Sequence, residues 1–171
     1  MLNGKRVRLR PFEWEDAEKY RLWVNDPVVM SLVDRALPVT LEEHRRWYES
    51  IIANPRSVIF AVETVDSKRF VGCVWLYDID DRHRHGEVRI LIGDKRYWGK
   101  GMGTEAISLL SQFAFEKLNL HKIYAYVLAS NPRAAEAFEK VGFTREGLLK
   151  KDRYVNGVFV DVVRLGLLRK E

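Results

Sequence analysis

A chain of 171 residues, 47% hydrophobic and 12% aromatic, has the length and apolar content for one sizeable core, so residues 1–171 are read as one domain. Its 29 basic and 24 acidic residues leave a formal charge of +5, but the signs alternate along the chain instead of forming a basic block, so no nucleic-acid partner is expected. No run approaches membrane-spanning length, no signal-type apolar segment opens the chain, and one cysteine rules out an internal disulfide; a cytoplasmic protein with no membrane partner is expected.

Val7-Arg8-Leu9-Arg10 alternates as a half-buried strand does, Pro11 ends it, and Glu13 to Val24 follows as a first helix. Asn25-Asp26-Pro27 breaks that helix. After a loop, Thr40-Leu41-Glu42-Glu43 presents a capping box for a second helix running to about Ala53, where Asn54-Pro55 stops it. Packing accounts for Trp23, Trp47 and Tyr48 on these helices, with cover over a substrate entrance as the other reading. Ser57 to Val65 and Arg69 to Ile79 read as strands joined by the turn Asp66-Ser67-Lys68, and Cys73 in the second reads as a small buried thiol.

The charged loop Asp80 to His85 leads into the strand Gly86 to Gly93, which feeds Tyr97-Trp98-Gly99-Lys100-Gly101-Met102-Gly103-Thr104-Glu105-Ala106. A helix from Gly103 to Leu118 follows, its apolar face marked by Ala106, Leu109, Leu110, Phe113 and Ala114. The strand His121 to Leu128 comes next, and a strand–helix–strand crossover makes it parallel to Val88–Ile92. Asn131 caps and Pro132 opens a helix to Val141, Gly142 closes it, and a last hairpin turns about Asn156-Gly157, with Val158 to Leu168 returning.

The loop is the chemical signal. Alternate glycines at 99, 101 and 103 let the backbone turn tightly and approach a ligand, and the first amides of the helix behind them lack intrahelical acceptors. With the helix dipole, and with Lys95, Arg96 and Lys100 nearby, this is a place for a diphosphate; the plainer reading is a strand end and a helix start. Walker and dinucleotide fingerprints do not fit the spacing.

That element order, with the loop after a fourth strand and Asn-Pro-Arg-Ala-Ala-Glu-Ala-Phe-Glu-Lys-Val-Gly-Phe (Asn131–Phe143) after the fifth, resembles the GNAT superfamily of acetyl-CoA-dependent N-acetyltransferases over nearly the whole chain. Trp23 to Met30, Tyr97 to Gly101 and Thr104-Glu105-Ala106 look most like its RimJ/RimL branch. The resemblance implies an α/β fold: a mixed, mostly antiparallel twisted sheet of six to seven strands flanked by about four helices, with a parallel pair around the cofactor. It implies acetyl-CoA as co-substrate, its pyrophosphate on the amides of Trp98, Gly99, Lys100, Gly101, Met102, Gly103 and Thr104, with Trp98 contributing its backbone, not its ring. Asn131 matches a family asparagine beside the cofactor and also reads as a helix cap, while Arg133 reads either as approaching the 3′-phosphate or as solvated.

Acetyl transfer needs a neutral amine, so a base or water chain must first take a proton from the ammonium. By the resemblance Glu87 is the catalytic candidate, relaying that proton through water; the alternative is a surface-facing strand carboxylate. A backbone N–H near Leu91 or Ile92 is the expected oxyanion donor. This chain departs from the family pattern at Phe138, where many relatives carry Tyr, and at Ala134, where RimL-type enzymes carry Ser. The usual proton donors to the departing thiolate are therefore missing, leaving water, Tyr124 or Tyr154. Asp80, Asp81, His83 and His85 make no complete ligand set, so no metal is expected; these acidic residues and Asp78 would draw a cationic amine to the acceptor mouth. The resulting expectation is an N-acetyltransferase acting on a primary amine, first a protein or peptide N-terminus. A polyamine or an amino-sugar nucleotide are the alternative acceptors, and a catalytically silent acyl-CoA-binding module is the alternative of a different class. A homodimer is compatible with it.

Overall fold

The structure of the chain is a computed structural model describing residues 1–170. A short strand β1 (Leu2–Asn3) and β2 (Val7–Pro11) lead into helices α1 (Trp14–Val24), α2 (Pro27–Leu32) and α3 (Leu41–Ala53). Strands β3 (Val58–Thr64), β4 (Phe70–Asp80) and β5 (His85–Ile92) follow, then a 3-10 turn (Lys95–Tyr97), α4 (Met102–Glu116), β6 (Lys122–Leu128), α5 (Pro132–Val141), β7 (Thr144–Val155) and β8 (Val158–Leu168). They form an eight-stranded sheet in the order β1-β2-β3-β4-β5-β6-β8-β7. The pair β5–β6 is parallel and every other pairing is antiparallel, as expected.

Eight strands and five α-helices replace the expected six to seven and about four. One addition is α2: Asp26, read as part of a helix breaker, also caps the next helix, accepting from the amides of Val28 at 2.9 Å and Val29 at 3.4 Å, with Pro27 at the first helical position. The other is β1, held near the loop by a carboxylate on α4. Glu105 accepts from the amides of Lys5 (3.0 Å), Arg6 (2.7 Å) and Val7 (2.7 Å). Burial pushes the Glu105 pKa up, but those three donors outweigh it and hold it below the ordinary value.

Alternation along the strands divides the core between the two faces of the sheet. Val74, Leu76, Val88, Ile123 and Ala125 pack against Ile107 and Leu110 of α4 and Phe138 of α5. Ala61, Cys73, Trp75 and Leu91 point the other way, under Tyr20 of α1, Val29 of α2 and Ile51 of α3. Cys73 is fully buried and burial raises its pKa, which suits the inert thiol expected.

Two polar contacts fix α1 on this face. Arg10 grips Asp16 of α1 at 2.6 and 2.9 Å and Glu63 of β3 at 2.6 Å, with Arg8 completing a chain of buried carboxylates matched by guanidiniums. His44 of α3 is 2% exposed, its ring clustered with those of Tyr20 (5.7 Å) and Trp47 (4.9 Å), which also stack on each other, and its Nε2 donates to the Ala17 carbonyl at 2.5 Å. Burial lowers the His44 pKa, the Ala17 contact opposes this, and the charges of Arg21 and Arg35 lower it further. The folded chain thus refuses a proton that the unfolded chain accepts: the contribution is whole above the ordinary value of 6.5 and is lost as pH falls below it. We expect the Tm to decline as pH falls below about 6.5 and the slope to flatten in His44→Phe or His44→Leu, whatever their offset at pH 8. Equal slopes in wild type and both variants contradict this.

Candidate active site

The parallel strands pair only at His85↔Lys122, Gly86↔Ile123 and Glu87↔Tyr124, then part. Each is held on its other side to the end: β5 runs with β4 up to Gly72↔Ile92, and β6 with β8 from Lys122↔Leu168 to Leu128↔Val162. A wedge therefore opens between two firmly paired strands. Gly93 donates to Val71 at 2.9 Å, and the β4–β5 register is unbroken from there back to Tyr77↔Glu87. Antiparallel alternation then commits the amides of Leu91, Arg89 and Glu87 to β4, while Ile90 and Ile92 turn theirs into the wedge. Of the two residues expected to offer a donor, Leu91 has its amide engaged with β4, whereas Ile92, together with Ile90, faces the opening.

A cavity of about 480 Å³ lies on one side of the wedge and one of about 510 Å³ on the other; both are lined by Leu32, Val33, Ile90, Leu91, Asn131 and Ala134. The first ends on the glycine loop. Leu91, Ile92, Trp98, Gly99, Gly101, Met102, Gly103, Thr104, Asn131 and Arg133 all line it; of the expected residues only Lys100 does not, its ammonium lying over the Tyr97 ring at 5.6 Å. Gly99 and Gly101 sit at φ +70° and +78°, a region L side chains rarely adopt, and the guanidinium of Arg6 fills the space a side chain at Gly101 would need. Side chains cap α2, α3 and α5 (Asp26, Thr40, Asn131), but Gly101 offers α4 none. Among the described residues, the amides of Met102, Gly103 and Thr104 have no protein acceptor. These donors and the positive end of a 15-residue helix fit a diphosphate.

Of the cations expected beside the loop, Arg133 lines the cavity, while Lys95 and Arg96 are tied up elsewhere. Lys95 is paired with Asp26 at 2.7 Å and Arg96 with Asp94 at 2.6 Å, which neutralises both. Lys140, which the sequence did not single out, joins Arg133 on one face of α5 in lining the cavity. Arg133 is not simply solvated: it stacks 4.4 Å over the Trp98 ring, whose Nε1 donates to the Ile92 carbonyl at 2.5 Å. The Trp98 ring thus ties the loop to the end of β5 and carries a cation, a role its sequence position did not reveal. Asn131 accepts from the Ala134 amide at 3.3 Å, the expected cap, and faces both cavities.

The second cavity lies under α1–α3, so Tyr20 and Trp47 are both packed (5.2 Å apart) and part of its wall. Glu87 lines it with 14% of its side chain exposed, and Arg89 holds both carboxylate oxygens, at 2.9 and 3.2 Å. Tyr126, which the sequence reading passed over, lines the same wall; it lies two residues past Tyr124 on one face of β6, and its hydroxyl accepts from Arg164 at 2.6 Å. Tyr154 is 62% exposed on the last hairpin against Phe159 (5.1 Å) and lines neither cavity. Tyr124 is buried opposite Glu87, its pKa raised first by burial and then by the charge of Glu87. Ala134 and Phe138, where relatives carry hydroxyls, are both at the wedge.

The acidic loop does not form the acceptor mouth. Asp78 pairs with Arg56 at 2.8 Å, and neither it, Asp80 nor Asp81 lines either cavity. Asp80, His83 and His85 bring their donor atoms within 4.8 Å of one another, a grouping that the Asp80–His83 ion pair (3.0 Å) and the stacked imidazoles (5.8 Å) account for. The His83 amide holds the Asp80 carboxyl down at about 2.

Residues 6–144 match the family model described as an acetyltransferase (GNAT) domain. The spermidine N(1)-acetyltransferase of Vibrio cholerae serotype O1 is 33% identical over 168 residues, covering 98% of this chain and 96% of the relative. That of Escherichia coli K12 is 30% identical over 171 residues, covering 100% and 90%. A crystal structure of spermidine N-acetyltransferase from V. cholerae, in complex with CoA and spermine, superposes with a TM-score of 0.89 at 31% identity and 96% coverage of each chain. No helix among the described residues is long and apolar enough to cross a membrane. The family match over residues 6–144, relatives of 30% identity or more over nearly the whole chain and the close superposition agree: the chain belongs to the GNAT acetyltransferases, which use acetyl-CoA as co-substrate.

Proposed function

We propose that the chain acetylates the primary amine of a small molecule, with acetyl-CoA entering from the loop side of the wedge and the amine from beneath α1–α3. The observation that carries this reading is the meeting of the two cavities at Ile90, Leu91 and Asn131, one ending on free helix amides and the other on the carboxylate of Glu87. Bound acetyl-CoA supplies a thioester: a nitrogen–carbonyl bond forms, the carbon–sulfur bond breaks, the ammonium nitrogen gives up two protons, and sulfur takes one while solvent takes the other. The amides of Met102, Gly103 and Thr104, with Arg133 and Lys140 at the cavity wall, hold the diphosphate. The amide of Ile90 or Ile92 meets the charge that develops on the carbonyl oxygen. Glu87 takes the first proton, directly or through water, and Arg89 keeps its carboxylate aimed along the wall. Tyr126, or water, protonates the sulfur in the absence of hydroxyls at 134 and 138.

The acceptor narrows from the sequence expectation. The V. cholerae and E. coli relatives are named for spermidine, which supports a small amine over the protein N-terminus of the RimJ/RimL-like branch.

The test is free-thiol release from acetyl-CoA with spermidine, amino sugars and an alanyl peptide as acceptors. Amine-dependent release with small amines supports the proposal; tight acetyl-CoA binding with no amine-dependent release indicates the silent module. Glu87→Gln should lower kcat by about 10²-fold with acetyl-CoA affinity unchanged, and equal kcat in both proteins removes Glu87 from the mechanism. Trp98→Phe, which loses the indole bond to Ile92, should weaken acetyl-CoA binding by about tenfold in calorimetry. An unchanged affinity means the ring does not set the loop.

A further inference from the structure

The cavity beneath α1–α3 carries a charge pattern that acetyl transfer alone does not require. Three guanidiniums, Arg35, Arg89 and Arg153, line it against two carboxylates, Asp34 and Glu87. Both carboxylates are already engaged: Glu87 by Arg89, and Asp34 by Arg153 at 3.1 Å. Arg35 is left over. It is exposed at the cavity wall and forms no ion pair among the described residues; its charge is felt at Glu43 and at His44, whose pKa values it helps to lower, and at Tyr20, where it only partly opposes the rise that burial causes.

A polyamine is poorly served by such a wall. Acetylation neutralises one nitrogen, and a remaining ammonium finds no unpaired carboxylate in this wall and is repelled by Arg35. An anion finds the opposite: a planar, unpaired guanidinium suited to two parallel bonds with phosphate or carboxylate oxygens. Tyr20, Trp47 and Tyr126 add flat aromatic surface for the uncharged part of such a molecule.

Resting on the acetyl-transfer reading above, we propose that the acceptor is a small amine whose own molecule carries an anionic group, which Arg35 receives while Glu87 attends the reacting nitrogen. Spermidine, named for the relatives, is then not the preferred substrate of this chain.

Matched acceptors isolate the anion: glucosamine against glucosamine 6-phosphate, ethanolamine against O-phosphoethanolamine, and propylamine against β-alanine, with spermidine and an alanyl peptide alongside, all read as kcat/KM for thiol release. The phosphate pairs and the carboxylate pair show which anion is meant. We expect at least one anionic member to exceed its neutral partner by about tenfold or more, the ratio to collapse in Arg35→Gln, and Arg35→Glu to invert it in favour of spermidine. The inference is overturned, and acetyl transfer left standing, if spermidine or the peptide outpaces every anionic acceptor in the wild type, or if Arg35→Glu leaves the ratios unchanged. If no amine promotes thiol release although acetyl-CoA binds, the transfer reading itself fails and this inference with it.

Discussion

Two neighbouring strands that pair for three residues and then separate govern everything functional in this chain. A parallel ladder left open exposes backbone groups to the gap, and the strands keep their places because each is held along its outer edge by an antiparallel partner. What the parting exposes is oriented: Ile90 and Ile92 aim their amides into the gap, and the Ile92 carbonyl is taken by the Trp98 indole. The loop that follows β5 is thereby fastened to the mouth of the gap and delivers α4, with no cap of its own, to the same place. Glu105, in the first turn of that helix, binds three amides of the N-terminal segment and brings Arg6 against Gly101, so the loop is braced from both sides.

The two sides of the wedge are chemically unlike because the two faces of the sheet are covered differently. On the α4–α5 side the first cavity meets helix amides and the cations of α5. Under α1–α3 the second is aromatic, with its carboxylates already paired. The Arg8–Glu63–Arg10–Asp16 chain and the His44–Ala17 bond set α1 and α3 on the sheet, and through them the walls that an acceptor meets. Acceptor choice is therefore coupled to helix packing, while the grip on the thioester carrier is a property of the backbone.

Much of this was legible in the order of residues. The strand alternation, the capping box at Thr40, the glycine loop, the crossover to a parallel strand, and the hairpin turn, whose Asn156 and Gly157 do take positive φ, all follow from local pattern. The reading failed where one residue does two jobs or where partners lie far apart in the chain. Asp26 both ends α1 and starts α2, so a stop signal hid a helix. Lys95 and Arg96 read as free cations in sequence because Asp26 lies 69 residues from Lys95 and proximity alone does not show that Asp94 holds Arg96; the cations that face the cavity, Arg133 and Lys140, share a helical face that periodicity marks. Asp78 is another such case, its partner Arg56 being distant in sequence. Tyr126 was overlooked for Tyr124 because alternation tells which residues share a face and not which one borders an opening.

The central claim is that main-chain donors at the start of α4, beside the parted strands, hold the thioester carrier. Backbone amide NMR of the isotope-labelled chain, titrated with acetyl-CoA, addresses it directly. The account predicts that the amides of Met102, Gly103 and Thr104 shift most and become protected from hydrogen exchange, with Ile90 or Ile92 responding in the same titration. Saturable binding that leaves those amides unmoved while other surfaces respond would contradict it.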